Sequence, residues 1–322
     1  MDKPFQFFRE DCISGARKRI QDDSVDLIIT DPPYGIQADQ MHKHYHRREK
    51  HVLDGYVEIP TGQYAAFSQN WIREAWRVLR PGGSLYIVSG YSNLADILNA
   101  LKMTSLEERN HIIWKYNFGV HTRKKFISSH YHVLYYIKPG AEVTFNTYSR
   151  FGPGEKDAAN GSLNYRDRED VWLINREYKP GEIKNKNELP AELIIKIMQY
   201  SSNPGDLVAD FFLGGFNTAK VAIGLNRHIL GFELNANSFN HHVTEVEILK
   251  PGFLLNTIRS GNGSPPVNQR QRWTAEERNR LKTRYHEIYR KLNHKRQTIK
   301  ILENEFGRGY FSILNQIENL FR

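Results

Sequence analysis

A single cysteine, Cys12, stands among 322 residues. One thiol excludes an internal disulfide framework and a cysteine-based zinc site, and it suits a reducing compartment. No apolar run approaches the roughly 20 residues of a membrane helix, so no membrane partner is expected. The opening MDKPFQFFRED has neither the apolar core of a secretory leader nor the pattern of a transit peptide. These absences point to the cytoplasm. No internal repeat is visible. Acid is scarce in the last part of the chain. From Val267 to Arg322 there are 13 Lys/Arg against six Asp/Glu, so this tail carries +7 of the chain's +9. A cationic segment of this kind predicts an anionic partner.

What is present begins with VDLIITDPPYG. Val25–Thr30 is a short β-branched apolar run and predicts a buried strand. Asp31-Pro32-Pro33-Tyr34 stops it. Neither proline can donate a ladder hydrogen bond, each fixes its own φ, and the residue before each is driven from helix. The product is a stiff turn bearing one carboxylate, bare carbonyls and a ring. Alone, it also fits a plain strand-ending turn with a solvated acid. Around it, strand and helix patterns alternate. TGQYAAFSQNWIREAWRVLRPGG predicts a helix ended by Gly82-Gly83, and SLYIVSG, RNHIIWKYN and YHVLYYIKP predict strands. Alternation of this kind predicts an α/β fold with a mostly parallel sheet.

Residues 140–182 break the pattern, being rich in Gly, Asn and Asp with scattered aromatics. They predict an inserted region within a first domain spanning 1–258. The alternation resumes with LPAELIIKIMQYSS, LVADFFLGG, NTAKVAIGLN and HILGFEL. Asp206–Leu234 has the layout of a nucleoside-binding unit. A strand ends at Asp210, a turn holds Gly214 and Gly215, a helix follows, and a second strand ends at Glu233, placed for ribose hydroxyls. It lacks a full GxGxxG. Residues 259–269 form a Gly/Ser/Pro linker, and 270–322 a basic helical module. Thr274 and Glu277 predict a capping box, and Leu281, Tyr285, Ile288, Tyr289 and Leu292 recur at helical spacing.

Taken together, the two motifs resemble the DNA amino-methyltransferases that use S-adenosylmethionine. In these a DPPY-type turn lies in the catalytic pocket and a D-x-F-x-G-x-G-like turn holds the cofactor. The catalytic motif comes first here and the cofactor motif follows about 180 residues later, the order of the beta group. In that group the target-recognition region lies between the two, where 140–182 falls. The resemblance covers roughly residues 5–245 and implies a Rossmann-like fold. It implies Asp31, Pro32, Pro33 and Tyr34 as catalytic residues. For the cofactor it implies Asp11, with Cys12 beside it, then Asp210, Phe212, Gly214, Gly215, Asn217, Thr218 and Glu233. Cys12 taken alone reads as inert packing. Two departures stand out. Phe216 fills a glycine position of the family's Gly-Ser-Gly, and Gly215 fills the serine position. Of the family's His-Pro-Thr-x-Lys-Pro, only Pro190 is kept.

The resemblance gives the turn a chemical purpose. An exocyclic amine is a poor nucleophile because its lone pair is delocalised. The Asp31 carboxylate and the Pro32 carbonyl would accept its hydrogens and localise that pair, within a preorganised turn. A duplex base reaches such a pocket only when flipped out, and Tyr34 offers a stacking surface. The expected reaction is methylation of adenine N6 in double-stranded DNA, in a prokaryotic or phage nucleoid and a restriction–modification setting. Cytosine N4, an RNA base amine, and a non-catalytic nucleic-acid-binding subunit are the alternatives. Lys43, Arg47 and Arg48, in MHKHYHRREKH, and Arg123, Lys124 and Lys125, in HTRKKF, are candidate phosphate contacts. An ordinary solvated loop is the competing reading of HTRKKF. The His-rich tract is read as basic loop rather than metal site, and no metal is needed. Phe118 and Phe126 are either a wall of the base pocket or core. The tail helices bind DNA, form a homodimer or dock a partner subunit.

Overall fold

A computed structural model describes residues 4–33, 59–117, 119, 121, 123–177, 188–260 and 272–320. The chain divides into two compact units, residues 1–146 with 168–258, and residues 147–167 with 259–322.

The first unit is built on one eight-stranded sheet. In chain order its strands are β1 (Phe5–Phe8), β2 (Val25–Thr30), β3 (Leu79–Ser89), β4 (Glu107–Lys115), β5 (His130–Ile137), β6 (Val171–Leu173), β7 (Leu207–Asp210) and β8 (His228–Phe232). In space the order is β1-β8-β7-β2-β3-β5-β4-β6. All neighbours are parallel except the pairs that β5 makes with β3 and β4. The expected mostly parallel α/β sheet is therefore present.

Helices cover both faces. On one lie α1 (Cys12–Arg19), α2 (Tyr64–Val78) and α3 (Leu94–Lys102), through Ala16, Trp71, Ile72, Ala75, Ile97 and Leu101. The other face meets α5 (Ala191–Ser201), α6 (Asn217–Gly224) and α7 (Ala236–Glu247), which follow the short α4 (Leu163–Asp167) of the second unit. Burial on both faces explains why VDLIIT has no polar alternation. Leu27 and Ile29 enter one core and Ile28 the other. A register irregularity between Val25 and Leu27 puts Val25 on the Ile28 side.

One boundary differs from expectation. The helix predicted to run to Gly82-Gly83 ends at Val78, and β3 begins at Leu79. Pro81 is the cause, because it disfavours helical backbone at Arg80 and offers no N–H of its own.

In the second unit, α8 (Ala275–Leu292), α9 (Lys295–Phe306) and α10 (Tyr310–Leu320) share a core of Leu281, Ile288, Ile299, Leu302, Phe306, Ile313 and Ile317. The predicted capping box forms: Thr274 Oγ1 accepts from Glu277 N at 3.1 Å, and Glu277 Oε2 accepts from Thr274 N at 2.9 Å. Arg308 is buried over the Trp273 ring and donates to Glu277 at 2.9 Å.

Candidate active site

In the strand order, β7 and β8 lie on one side of β2 and β3 on the other, so the winding reverses between β7 and β2. Open α/β sheets bind ligands at the carboxyl ends of the strands at such a reversal. Both motifs end there. Thr30, fully buried at the end of β2, donates from its hydroxyl to Asp210 Oδ1 at 3.1 Å. Asp31 follows Thr30 and is half-buried, Pro32 is buried, and Pro33 is half-buried. Tyr34 lies outside the described residues, as do Phe118, Lys43, Arg47, Arg48 and the rest of the His-rich tract.

Asp210 is buried at the end of β7, and burial pushes its carboxyl up to about 6 despite hydrogen bonds from Thr218, Phe212 N and Thr30. The Phe212 N–H donates to Oδ1 at 3.0 Å. The Phe212 ring leans on Trp71 and Phe67 of α2, with centroids 5.5 and 5.8 Å away.

The turn beyond it is held by the protein's own groups. Gly214 has φ +50°. Its N–H donates to Glu233 Oε2 at 2.9 Å, and its carbonyl accepts from Ser238 Oγ at 2.8 Å. A Cβ on Gly215 would lie 2.5 Å from Glu188 Oε1, so this glycine first of all makes room for Glu188. Asn217 donates to Leu189 O at 2.9 Å. Phe216, in the family's glycine position, keeps left-handed backbone at φ +59°. Its buried ring packs edge-on to Phe7 at 5.0 Å and to Phe239 at 6.1 Å. A left-handed non-glycine residue costs about 1–2 kcal/mol. Burying a phenylalanine ring returns roughly 1.5–3 kcal/mol, which offsets that strain.

Glu233, at the end of β8, accepts from Asn235 N at 2.7 Å as well as from Gly214. Burial raises its carboxyl, the backbone donors of Asn235, Gly214 and Leu234 oppose the rise, and the Asp210 charge adds to it. A carboxylate has about four lone-pair sites, so these donors leave it capacity for a ligand hydroxyl. Asp11 follows β1 and caps α1, accepting from Ser14 N at 2.9 Å. Cys12 is buried beside it, and burial followed by the Asp11 charge raises the thiol far above its ordinary value.

Two tyrosines that the sequence reading gave no part in the site, Tyr64 and Tyr131, feel the Asp31 charge, and Tyr116 and Arg176 pack on the second. Burial, then Asp31 and Asp96, pushes the buried Tyr64 phenol well up. Burial also raises Tyr131, with Arg176 opposing it and Tyr116 and Asp31 adding to it. Arg176 lies over the rings of Tyr116 and Tyr131, at 4.6 and 5.1 Å, and donates to Tyr131 Oη at 2.7 Å. Arg123, Lys124 and Lys125 are exposed in the loop between β4 and β5. Among the described residues one His/Glu group has ligand atoms within 4.8 Å of one another: His241, His242 and Glu245. The Lys220 ammonium sits 2.7 Å from Glu245 and already supplies its counter-charge.

The carboxyl edge thus gathers Asp11, Asp31, Asp210 and Glu233 from the ends of four strands. Fixed acceptors, one buried carboxylate and aromatic walls suit a ligand with hydroxyl donors and positive charge.

Comparison with known proteins agrees with this geometry. A family model described as DNA methylase, covering N6 and N4 methyltransferases, matches residues 25–243. The chain is 30% identical over 235 residues to the DNA adenine methyltransferase YhdJ of Escherichia coli (strain K12), covering 68% of this chain and 75% of that protein. It is 28% identical over 227 residues to the type II methyltransferase M.HpaI of Haemophilus parainfluenzae, covering 68% and 67%. Among solved structures, TTHA0409 of Thermus thermophilus, in complex with S-adenosyl-L-methionine, superposes with a TM-score of 0.56 at 21% identity, covering 77% of this chain and 96% of that one. The cytosine-N4-specific PvuII DNA methyltransferase gives 0.55 at 14%, covering 76% and 86%. The match spans most of the first unit, holds both motifs and includes the strand reversal between them, so the chain belongs to the DNA methylase family.

Proposed function

We propose that the chain transfers a methyl group from S-adenosylmethionine to N6 of an adenine in duplex DNA, at a defined sequence, after that base has left the stack. The observation that carries this reading is the Thr30–Asp210 hydrogen bond, which fixes the strand leading to the catalytic turn against the strand leading to the cofactor turn. The cofactor site fits its ligand by donor chemistry. Glu233 is oriented by backbone N–H groups and takes the ribose hydroxyls. Asp210 is a buried carboxylate short of positive charge and faces the cationic methionine end. Gly214, Gly215, Asn217 and Thr218 shape that turn. Asp11 and Phe212 flank the adenine side. When bound, the cofactor supplies an electrophilic methyl group on a sulfonium.

The chain's own residues do the rest. Asp31 and the Pro32 carbonyl accept the two amine hydrogens and direct the lone pair, and the amine proton passes toward Asp31 as the new bond forms. Pro33 keeps the turn from yielding. Tyr34 and Tyr131 provide ring surface for the extruded base. Arg123, Lys124, Lys125, Lys43, Arg47 and Arg48 meet phosphates. Residues 140–182 read the target sequence, and the basic helices of the second unit add sequence-independent grip. A prokaryotic or phage cytoplasm is the fitting setting. Adenine is preferred over cytosine because YhdJ, at 30% identity, is named an adenine methyltransferase.

The test is modified-base sequencing of DNA from cells expressing the chain, beside cells expressing Asp31→Ala. N6-methyladenine at one motif, lost in the variant, is the expected result. N4-methylcytosine instead would move the chain to the other chemistry, and no modified base would overturn the reading.

A further inference from the structure

Phe126 is 98% exposed, beyond every other large apolar side chain among the described residues. It follows Arg123, Lys124 and Lys125 directly, all exposed. Its place in the fold is specific. β4 runs parallel to β2, as the antiparallel pairs β3–β5 and β5–β4 require. The end of β4 and the start of β5 therefore leave the sheet at the edge where Asp31 stands. The loop between them is closed at its base. Trp114 pairs with Tyr131 and Lys115 with His130. Tyr116 N then donates to Ser129 O at 3.0 Å. One step further out, Ile127 lies directly over Gly119, where a Cβ would collide with it. The segment bearing Phe126 and the three cations is thus the tip of a hairpin whose base carries Tyr131, the ring that senses the Asp31 charge.

We propose that Phe126 is a wedge that enters the base stack of duplex DNA beside the target, while Arg123, Lys124 and Lys125 hold the flanking phosphates. This rests on the base-flipping reading above. Extrusion of a base leaves a gap and costs stacking. A ring filling that gap restores stacking on the neighbouring pairs, as apolar wedges do in proteins that kink DNA. The charge decides between occupants. Three consecutive cations beside one apolar ring complement a polyanion with aromatic layers, whereas a protein partner covering the ring would have to desolvate them. Tyr131 lies at the base of the hairpin and not at its tip, and the reading above gives it to the extruded base.

The experiment uses the full chain and a duplex carrying the site located by modified-base sequencing. The target is placed either in its normal pair or opposite an abasic position, where extrusion is cheap. Single-turnover methylation and 2-aminopurine fluorescence at the target are measured for wild type, Phe126→Ala and Phe126→Trp, with cofactor titration as the folding control. On the paired duplex, Phe126→Ala should slow methylation about tenfold or more and lose the fluorescence gain, while Phe126→Trp keeps both. Opposite the abasic position the loss should shrink to about threefold or less. Three results overturn the wedge: a rate within about twofold of wild type on the paired duplex, an equal loss on both duplexes, or an unchanged rate with a changed sedimentation mass. The last would make the tip a protein contact. A wild-type chain that methylates neither duplex removes the base-flipping reading, and the wedge with it.

Discussion

Thr30 and Asp210 are 180 residues apart in the chain, and their side chains meet at 3.1 Å where the sheet reverses its winding. Thr30→Val keeps the shape and removes the donor. A buried carboxylate deprived of one hydrogen bond should cost roughly 1–3 kcal/mol in stability. The carboxyl of Asp210 should also rise further, so affinity for a cationic cofactor should fall at neutral pH. Chemical denaturation and calorimetric titration at pH 7 read the two effects. No change in either would mean that this hydrogen bond does not couple the strands.

Asp210 should also leave a signature in the pH dependence of stability. Its carboxyl is raised from 3.8 to about 6 by burial, so folding favours the protonated form. That contribution is fully present below pH about 4 and is lost as pH rises through about 6. At about 1.4 kcal/mol per pKa unit, the loss is on the order of 3 kcal/mol. Asp210→Asn should abolish it, and the gap between variant and wild type in urea unfolding should widen from pH 4 to pH 7. A parallel pair of curves would contradict the assignment. Cofactor binding by the wild type should strengthen over the same interval, since the ionised carboxylate is the form that faces a cation.

Asp31 and Glu233 should separate chemistry from cofactor binding. Asp31→Ala is expected to lower methyl transfer at least about 10²-fold, with cofactor affinity little changed. Glu233→Ala should weaken cofactor binding while DNA affinity stays near wild type, because the lost acceptors face ribose. Transfer by Asp31→Ala within about tenfold of wild type would remove Asp31 from the reaction. Equal weakening of both ligands by Glu233→Ala would remove Glu233 from the ribose site.

Phe216 carries strain in its backbone and stabilisation in its ring, and two substitutions can part them. Phe216→Ala loses the packed ring and keeps a Cβ at φ +59°. Phe216→Gly loses the ring but relieves the strain. Both should destabilise by a few kcal/mol, with glycine the milder by about 1 kcal/mol. Thermal unfolding of the pair gives the order, and alanine the more stable of the two would show the backbone to be unstrained.

The basic helices offer a salt test. Arg290 and Lys291 are exposed in the last turn of α8. If they meet phosphates, changing both to alanine should weaken DNA binding regardless of sequence and flatten the log–log salt slope by about 1.8. Of the stripe Leu281, Tyr285, Ile288 and Leu292 that offers a homodimer surface, Leu281 and Ile288 are buried in the core of their own helical unit and Leu292 stays exposed, so a changed sedimentation mass with an unchanged slope would favour the dimer. An unchanged slope would leave the second unit without a part in DNA binding.

The sequence alone determined the strand that runs into Asp31, the two prolines that stiffen the turn, the second strand–turn–helix unit and the sheet class. These rest on neighbours in the chain: β-branched runs, prolines and the spacing of apolar residues act within a few residues of themselves. It could not determine what stands near Asp31, because Tyr64 and Tyr131 come from distant segments and approach that carboxylate only when the sheet is wound. Nor could spacing say which way an apolar stripe faces. Leu281 and Ile288 have the same pattern whether they bind a second chain or their own α9 and α10, and only packing chose the latter. Phe126 shows the converse: an aromatic beside a strand is usually core, and the closure of its hairpin is what leaves it in water. Asp210 needed the tertiary structure most. A carboxylate at a strand end is ordinary until the neighbouring strand buries it, and burial alone carries its proton affinity toward neutral pH.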